Sequence, residues 1–232
     1  MLVGSVWLGG DDVGTRETKG AGMSPSAEAI PSELVGTWDI DPNHSTLEAV
    51  ARYAMLSNVR GHFDTFSGTI AVGQTLSQSS VEVEIVAASV NTGVEMRDNH
   101  LRSADFMDVE HHPKITFRST RVEPAGEDRY RVRGDFTLRG VTKELELDVQ
   151  FEGIGPDPWG NTRAGIFART TINRKDFGAN WNAILETGGV LVGDSLKIEL
   201  NVSAVKRKTD QDTPETQFDA SAQAEAKTDA QS

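Results

Sequence analysis

The sequence predicts an all-β protein whose main part is an antiparallel β-barrel of about eight strands. Apolar and polar residues alternate along many segments, which is typical of strands with one buried and one solvated face. Clusters of Gly, Pro, Asp and Asn separate these segments and indicate turns. Since few helical segments are available to cover the sheet, we expect it to close on itself or fold into a sandwich.

The alternation is clearest in residues 81–87, 144–151 and 196–204, where apolar side chains occupy every second position. Residues 115–117, 132–138 and 164–172 show the same pattern over shorter or broken stretches. Residues 37–41, 47–56 and 62–72 are less regular but strand-like, and turns are predicted at 124–126, 139–140 and 156–160. A barrel of eight strands has room inside for packed side chains or for one small ligand.

Two segments interrupt the strand pattern. Residues 95–108 predict a short helix, with Met96, Leu101, Ala104 and Phe106 as its incomplete apolar stripe. Residues 173–189 mix Gly, Asn and aromatic side chains and predict a long loop or a broken helix. Long loops in compact domains are often functional, so we expect these two segments at the side or mouth of the barrel.

Composition limits the classes of function. The chain of 232 residues has a formal net charge of −12, which argues against nucleic acid because phosphate binding needs a basic face. The sequence contains no cysteine, so disulfides and thiolate-bound zinc are excluded. Neither fact points to a cofactor.

The two ends of the chain lack any apolar periodicity. We expect residues 1–34 to form a flexible leader, residues 35–205 the barrel domain and residues 206–232 a disordered tail. The apolar run at residues 2–10 has no positively charged flank and no small-residue cleavage site, so we expect a cytoplasmic location. Met23 is an alternative start to Met1.

Six short motifs occur in an order that resembles the YceI-like family of lipid-binding proteins. They are WDIDPNHS at 38–45, VRGHF with FSG at 59–68, RDNHLRSADF at 97–106, PKITFRST at 113–120, GDFTLRGVT at 134–142 and INRKDFG at 172–178. The resemblance implies a lipocalin-like barrel of eight strands with a helix across one side. It also implies an apolar tunnel for long-chain lipids, polyprenyl pyrophosphates among them. The family often has His where this chain has Tyr53 and Phe where it has Ala49, so both positions alter the expected tunnel lining.

Candidate residues for a lipid tail lie on the inner faces of the predicted strands. Alternation alone is equally compatible with a solid core and with a hollow barrel, although small residues such as Ala49 and Ala168 leave room for a ligand. The family resemblance favours the hollow barrel. Burial of each CH₂ of a lipid contributes ~0.8 kcal/mol. The expected tail-binding residues are Phe117, Phe136, Leu138, Leu147 and Val149.

Candidates for a polar head lie in the two interrupting segments. Arg97 and His100 could bind a phosphate, or they could form a structural network in which Asp98 caps the helix. Arg174 could be a second cation, or a staple within its loop beside Asp176. Other side chains could line the mouth or anchor these segments on the barrel: Tyr53, Leu101, Phe106, Phe177 and Trp181.

Neither a metal centre nor an enzyme is indicated. His111 and His112 are adjacent, so on a strand they point to opposite faces and cannot chelate one ion together. The sequence has no HExxH, GxSxG, P-loop or GxGxxG motif. We therefore expect non-enzymatic binding, transport or storage of an isoprenoid-like lipid, such as a polyprenyl (pyro)phosphate or a quinone. The alternatives are a stress-responsive scaffold for a quinone or protein partner, and an enzyme acting on a lipid head group; a homodimer could close the tunnel.

Overall fold

A computed structural model describes residues 30–186 and 188–208. The expected leader and tail therefore lie largely outside the described residues. One α-helix, α1 (Glu95–Arg102), and eleven strands occur in these ranges. The strands are β1 (Gly36–Ile40), β2 (Thr46–Tyr53), β3 (Ser57–Phe63), β4 (Phe66–Val72), β5 (Ser80–Val86), β6 (Val90–Asn91), β7 (Lys114–Gly126), β8 (Arg129–Leu138), β9 (Val141–Pro156), β10 (Thr162–Asn173) and β11 (Val192–Lys206).

Eight of the strands close into a barrel in the order β1, β4, β5, β7, β8, β9, β10, β11, and β11 pairs again with β1. Every pairing is antiparallel. The sequence prediction of a barrel with eight antiparallel strands is confirmed. Closure removes the free edges that would otherwise be exposed.

The remaining strands lengthen one side of the barrel. β11 pairs with β1 through residues 204–206 and with β2 through residues 192–201, and β2, β3 and β6 continue the sheet from there. Residues 62–72 were expected to form one strand, but Asp64 and Thr65 divide β3 from β4. Both backbone N–H groups of this pair bond to Ser89, which lies between β5 and β6, so the two breaks in the chain are held together.

The helix α1 is shorter than expected and is not capped by Asp98. The backbone N–H of Ser103 bonds to the carbonyl of His100 and ends the helix there. Asp98 is 6% exposed inside the helix, and its Oδ1 accepts from Thr92 N at 2.9 Å and Thr92 Oγ1 at 2.5 Å. Asp98 thus fixes the chain before the helix, whereas Val94 occupies the cap position without a side-chain bond.

One end of the barrel is built around Trp38, which is 2% exposed and packs against Ala164 and Ala204. Its Nε1 donates to the Leu34 carbonyl at 2.9 Å. The backbone N–H of Ile30 donates to the carbonyl of Gln74, just after β4, at 3.3 Å. Residues 30–34 are the described part of the expected leader, and Ile30 and Leu34 line the barrel interior at this end.

A network of ion pairs holds the β9–β10 turn at the same end. The carboxylate of Asp157 accepts from the backbone N–H of Trp159 at 2.9 Å and of Asn161 at 2.8 Å, and from Arg163 Nε at 2.9 Å. Arg163 also donates to Asp41 at 2.7 Å. Burial would raise the pKa of Asp157, but these hydrogen bonds outweigh it and hold the pKa far below its usual value.

Among residues 30–186 and 188–208, no helix has the length and apolar character needed to cross a bilayer. In the same ranges, no group of three His, Cys, Asp or Glu side chains is arranged to hold a metal ion. The exposed ring of His111 instead pairs with Asp108 at 2.9 Å.

Candidate functional site

The interior of the barrel is hollow, with two adjoining chambers of about 240 Å³ and about 630 Å³. We call them the inner chamber and the outer chamber. The larger volume falls within the range of ~300–1,000 Å³ that is usual for small-molecule sites. Five apolar side chains line both chambers and form a ring between them: Leu47, Ile85, Phe136, Ile198 and Leu200.

The inner chamber has an almost wholly apolar wall, in which Ser79, Ser80 and Tyr130 are the polar residues named among the lining side chains. The strand alternation directs side chains inward from β7, β8 and β9, where Phe117 lies opposite Phe136. Three expected tail-binding residues line this chamber alone: Phe117, Leu147 and Val149. The expected residue Phe136 belongs to the ring.

Small side chains leave part of this space. Ala164 and Ala168 line the inner chamber, and Ala49 and Ala51 line the outer one. Gly134 lies directly under the Phe117 ring, since a Cβ at Gly134 would be 2.7 Å from Phe117 Cζ. Ala49, which was expected to alter the tunnel lining, therefore lies in the wall of the outer chamber.

The outer chamber reaches the surface beside α1 and the β2–β3 turn. Met96 and Tyr53 both line its wall while being 82% and 44% exposed, so the opening lies between them. Nine expected ligand residues line this chamber, including Phe136 of the ring: Tyr53, Arg97, His100, Leu101, Phe106, Phe136, Leu138, Arg174 and Trp181.

Arg97 is held at the wall of the outer chamber by Thr92. Its Nε donates to Thr92 Oγ1 at 2.7 Å and its Nη2 to the Thr92 carbonyl at 3.0 Å. Thr92 Oγ1 in turn donates to Asp98. Within the described part of the chain no carboxylate forms a salt bridge with Arg97. Arg97 thus takes part in a structural network with Thr92 and Asp98, although Asp98 does not cap the helix as that interpretation expected, and the guanidinium lines the chamber.

His100 belongs to an aromatic cluster in the same wall. Its Nε2 lies 2.9 Å from Asp105 Oδ2. Its ring meets Phe106 and Trp181 edge to face, with centroids 5.0 Å and 4.6 Å apart. The carboxylate and the two rings fix the orientation of the imidazole, so its ring lines the chamber in one orientation.

Arg174 has no donor left for a ligand, which corrects its expected role as a head-group cation. It is 2% exposed, and a guanidinium has five N–H groups. These donate to the carbonyls of Ala179, Trp181, Val192 and Gly193 and to the Asp194 carboxylate, at 2.5–3.4 Å.

The residue works as a staple for residues 178–194, as the alternative interpretation held, but its acidic partner is Asp194 instead of the nearby Asp176. Burial lowers the pKa of Arg174, and the Asp194 carboxylate opposes this shift. The guanidinium also lies 5.9 Å from the centroid of the Phe106 ring. Arg174 therefore fixes the loop and the aromatic cluster together.

Phe177 lines neither chamber, contrary to its place among the expected ligand residues. It is 3% exposed and packs edge to face against Phe136 at 5.4 Å. Because Phe136 belongs to the ring between the chambers, Phe177 supports that ring from behind. This matches the alternative in which the residue anchors its loop.

Several lining residues were not anticipated from the sequence. Val59, Gly61 and Phe63 of β3 line the outer chamber at alternate positions, a signal present in the sequence but hidden because β3 was not recognised. Ile30 and Leu34 line the inner chamber from outside the expected domain. The further unanticipated residues from the loop and β11 are Ala179, Leu191, Val192 and Leu196.

Comparison with known proteins matches the model of the YceI-like domain to residues 38–204. The UPF0312 protein SAS2572 of Staphylococcus aureus (strain MSSA476) is 39% identical over 164 residues, which cover 68% of this chain and 91% of that protein.

Among solved structures, a YCEI protein from Campylobacter jejuni is 28% identical with a TM-score of 0.58, covering 66% of this chain and 88% of its own. BcnA from Burkholderia cenocepacia shares the fold at 23% identity and a TM-score of 0.62, covering 71% of this chain and 98% of its own. A polyisoprenoid binding domain from Saccharophagus degradans shares it at 16% identity and 0.57, covering 73% and 98%.

Proposed function

The chain belongs to the YceI-like family, and from this membership and its hollow barrel we propose that it binds one isoprenoid-like long-chain lipid. The observation that carries the proposal is the order of the two chambers: an apolar inner chamber, a ring, and an outer chamber that opens to the surface and has Arg52 and Arg97 in its wall. The S. degradans neighbour is described as a polyisoprenoid binding domain. A polyisoprenoid is a ligand of the same class as the one proposed here. The proposed role is non-enzymatic transport or storage in the cytoplasm.

In this proposal the tail lies in the inner chamber and the polar head stays in the outer one. Phe117, Leu147 and Val149 offer only apolar surface to a ligand, and each buried CH₂ contributes ~0.8 kcal/mol. A phosphate that entered that chamber would lose its water and meet no cation, because the polar side chains in the lining are those of Ser79, Ser80 and Tyr130. Arg97 supplies a charge-assisted donor to the head.

The first experiment asks whether a lipid is bound and where its tail lies. Native mass spectrometry of protein purified from its own host should detect one lipid per chain. Phe117→Trp fills part of the inner chamber and should weaken long prenyl chains more than short ones. If three to five CH₂ groups are displaced, the loss is roughly 2–4 kcal/mol. Arg118→Trp is the matched control, since Arg118 is on the outer face of the same strand and 74% exposed.

Absence of a stoichiometric lipid from the purified protein, together with failure to bind added prenyl chains, would refute the proposed function. Equal affinity of Phe117→Trp for short and long chains would instead show that the tail does not occupy the inner chamber.

The second experiment tests the head group through Arg97. Arg97→Gln should weaken a polyprenyl pyrophosphate by roughly 10–100-fold, since a hydrogen bond to a charged group contributes ~1.5–3 kcal/mol, and it should leave a polyprenol of equal length nearly unchanged. Arg102→Gln is the control, because Arg102 is not among the lining residues of the chamber and bonds to the carbonyls of Ala88 and Val90. Equal losses for both ligands would mean that Arg97 only supports the helix.

A polyprenyl quinone is the second candidate ligand, favoured by the aromatic cluster of His100, Phe106 and Trp181 at the outer chamber. Its uncharged ring would pack on these side chains and would not need Arg97. A quinone should therefore bind Arg97→Gln as well as the native protein but bind Trp181→Ala less well. Cell fractionation of the native host tests the cytoplasmic location.

A further inference from the structure

Exposed apolar side chains are concentrated at the opening of the outer chamber. Leu56 is 83% exposed, Met55 56%, Met96 82% and Ile184 89%. They stand on three separate projections: the β2–β3 turn, the first turn of α1, and the loop after residue 177. Large exposed apolar groups of this kind mark surfaces that contact another apolar phase.

The projections are adjacent in space and surround the opening. The backbone N–H of Ala54 bonds to the Leu191 carbonyl at 2.7 Å, and Tyr53 pairs with Val192, so the turn and the loop are joined. Met96 lines the outer chamber together with Tyr53. The exposed apolar groups therefore form a rim, which we define as Met55, Leu56, Met96 and Ile184.

The β2–β3 turn places apolar residues where the backbone disfavours them. Ala54 and Met55 have φ of 47° and 61°, and the Leu56 N–H bonds to the Tyr53 carbonyl. Turns with two such residues usually take Asn and Gly, because other side chains are strained there. Met55 is exposed, so burial of its side chain in the core does not offset that strain. Backbone strain of this kind often accompanies function.

Charge is sparse on two of the three projections. Residues 53–59 contain no charged side chain and residues 178–191 contain one, the exposed Glu186, although charged residues make up 25% of the chain. Arg52 beside the turn is folded back, since its Nε and Nη2 donate to the Met55 carbonyl at 3.3 Å and 3.1 Å. The tips are therefore suited to an uncharged apolar medium, and the net charge of −12 disfavours an anionic surface.

We propose that the rim docks on the surface of an electrically neutral lipid bilayer, with its apolar side chains inserted at the boundary between head groups and acyl chains. Separate projections insert readily into a deformable bilayer, whereas a rigid partner would need a matching pit for each. Half-buried Trp181 lies behind the rim, where its amphipathic ring suits the interface. This inference rests on the proposed function, because docking brings the chamber opening to the phase in which a long-chain lipid resides.

The test is flotation of the full chain with phosphatidylcholine vesicles. We expect the native protein to float with the vesicles, and Leu56→Asp and Ile184→Asp to lower its apparent vesicle affinity at least tenfold each. Trp159→Asp is the matched control, because Trp159 is 72% exposed in the β9–β10 turn at the other end and the charge change is the same. It should float like the native protein. Absence of native flotation, or equal loss in the control, would overturn the proposal.

Two parallel measurements separate the remaining explanations. Farnesyl pyrophosphate is soluble and tests the chamber without vesicles: if it binds while the native protein does not float, docking is wrong and the proposed function stands. If the protein floats but binds neither farnesyl pyrophosphate nor longer prenyl chains, the proposed function fails.

Sedimentation tests whether a second copy of the chain covers the rim. A native dimer that Leu56→Asp converts to monomer, without flotation, would overturn bilayer docking.

Discussion

Replacing the buried Arg174 by Met should loosen the whole loop that borders the outer chamber. The substitution keeps a long apolar stem and removes five N–H donors. It leaves the carbonyls of Ala179, Trp181 and Gly193 without this donor, whereas the Val192 carbonyl keeps Asn182 Nδ2 and the Asp194 carboxylate keeps Lys175. A buried acceptor left unsatisfied costs ~1–3 kcal/mol, so three such carbonyls place the loss at ~3–5 kcal/mol. We expect a loss in this range and not the sum of five bonds, because some freed acceptors can reach water.

Such a loss lowers the folding equilibrium constant by roughly two to nearly four orders of magnitude. For a domain of this size it lowers the melting temperature by on the order of 6–20 °C. Urea unfolding followed by tryptophan fluorescence measures the change, and the native-state emission should also shift because the Trp181 carbonyl is one of the acceptors.

Lys175→Met is the matched control. Lys175 is 45% exposed and contacts the same Asp194 at 2.8 Å, and an exposed pair of this kind contributes ~0–1 kcal/mol. Arg174→Lys restores up to three donors and should give an intermediate loss if Arg174→Met does not fold. A loss for Arg174→Met within about 1 kcal/mol of the Lys175→Met value would refute the role of the staple.

Three further predictions concern the barrel wall. Gly134→Ala should destabilise the fold by ~1–3 kcal/mol, measured by urea unfolding, and weaken long prenyl chains, because its Cβ would lie 2.5 Å from the Arg118 carbonyl oxygen and 2.7 Å from Phe117 Cζ and would push both aside. Trp38→Phe should cost ~0.5–1.5 kcal/mol through loss of the bond to Leu34; an unchanged unfolding midpoint would contradict this. The pKa of Asp157 is lowered on folding, so its stabilisation is complete above the ordinary value of 3.8 and is lost as the pH falls below it. The stability gap between the native protein and Asp157→Asn should therefore be constant from pH 5 to 7 and shrink in more acidic solution; a gap independent of pH would refute the assignment.

The barrel and most of its inner lining follow from the sequence because the side-chain period of a strand is fixed by geometry. Alternation placed Phe117, Leu147 and Val149 on one face before any fold was known. The same rule did not reveal β3 and β6. β6 has two residues and β3 ends at the break before β4, so each carries too few alternations to be recognised.

Other features depend on contacts that periodicity does not encode. Alternation could not distinguish a solid core from a hollow one, because the enclosed volume depends on how far apart the strands close. Arg174 could be placed in a loop, but its partner Asp194 comes from β11. Phe177 has the composition of a lining residue, yet the position of the Phe136 ring puts it one layer further out.

The ring between the chambers also bears on timing. A linear chain that occupies both chambers has to withdraw through the gap bounded by Phe136 and Leu200, and it re-exposes its carbons to water in succession. Each CH₂ re-exposed costs ~0.8 kcal/mol, so dissociation should slow by about fourfold per carbon. Two chain lengths with similar rates of entry would then differ greatly in how long they stay. The chain length of the ligand would then set its residence time in the barrel. Contact with an acceptor phase at the opening would shorten that residence time.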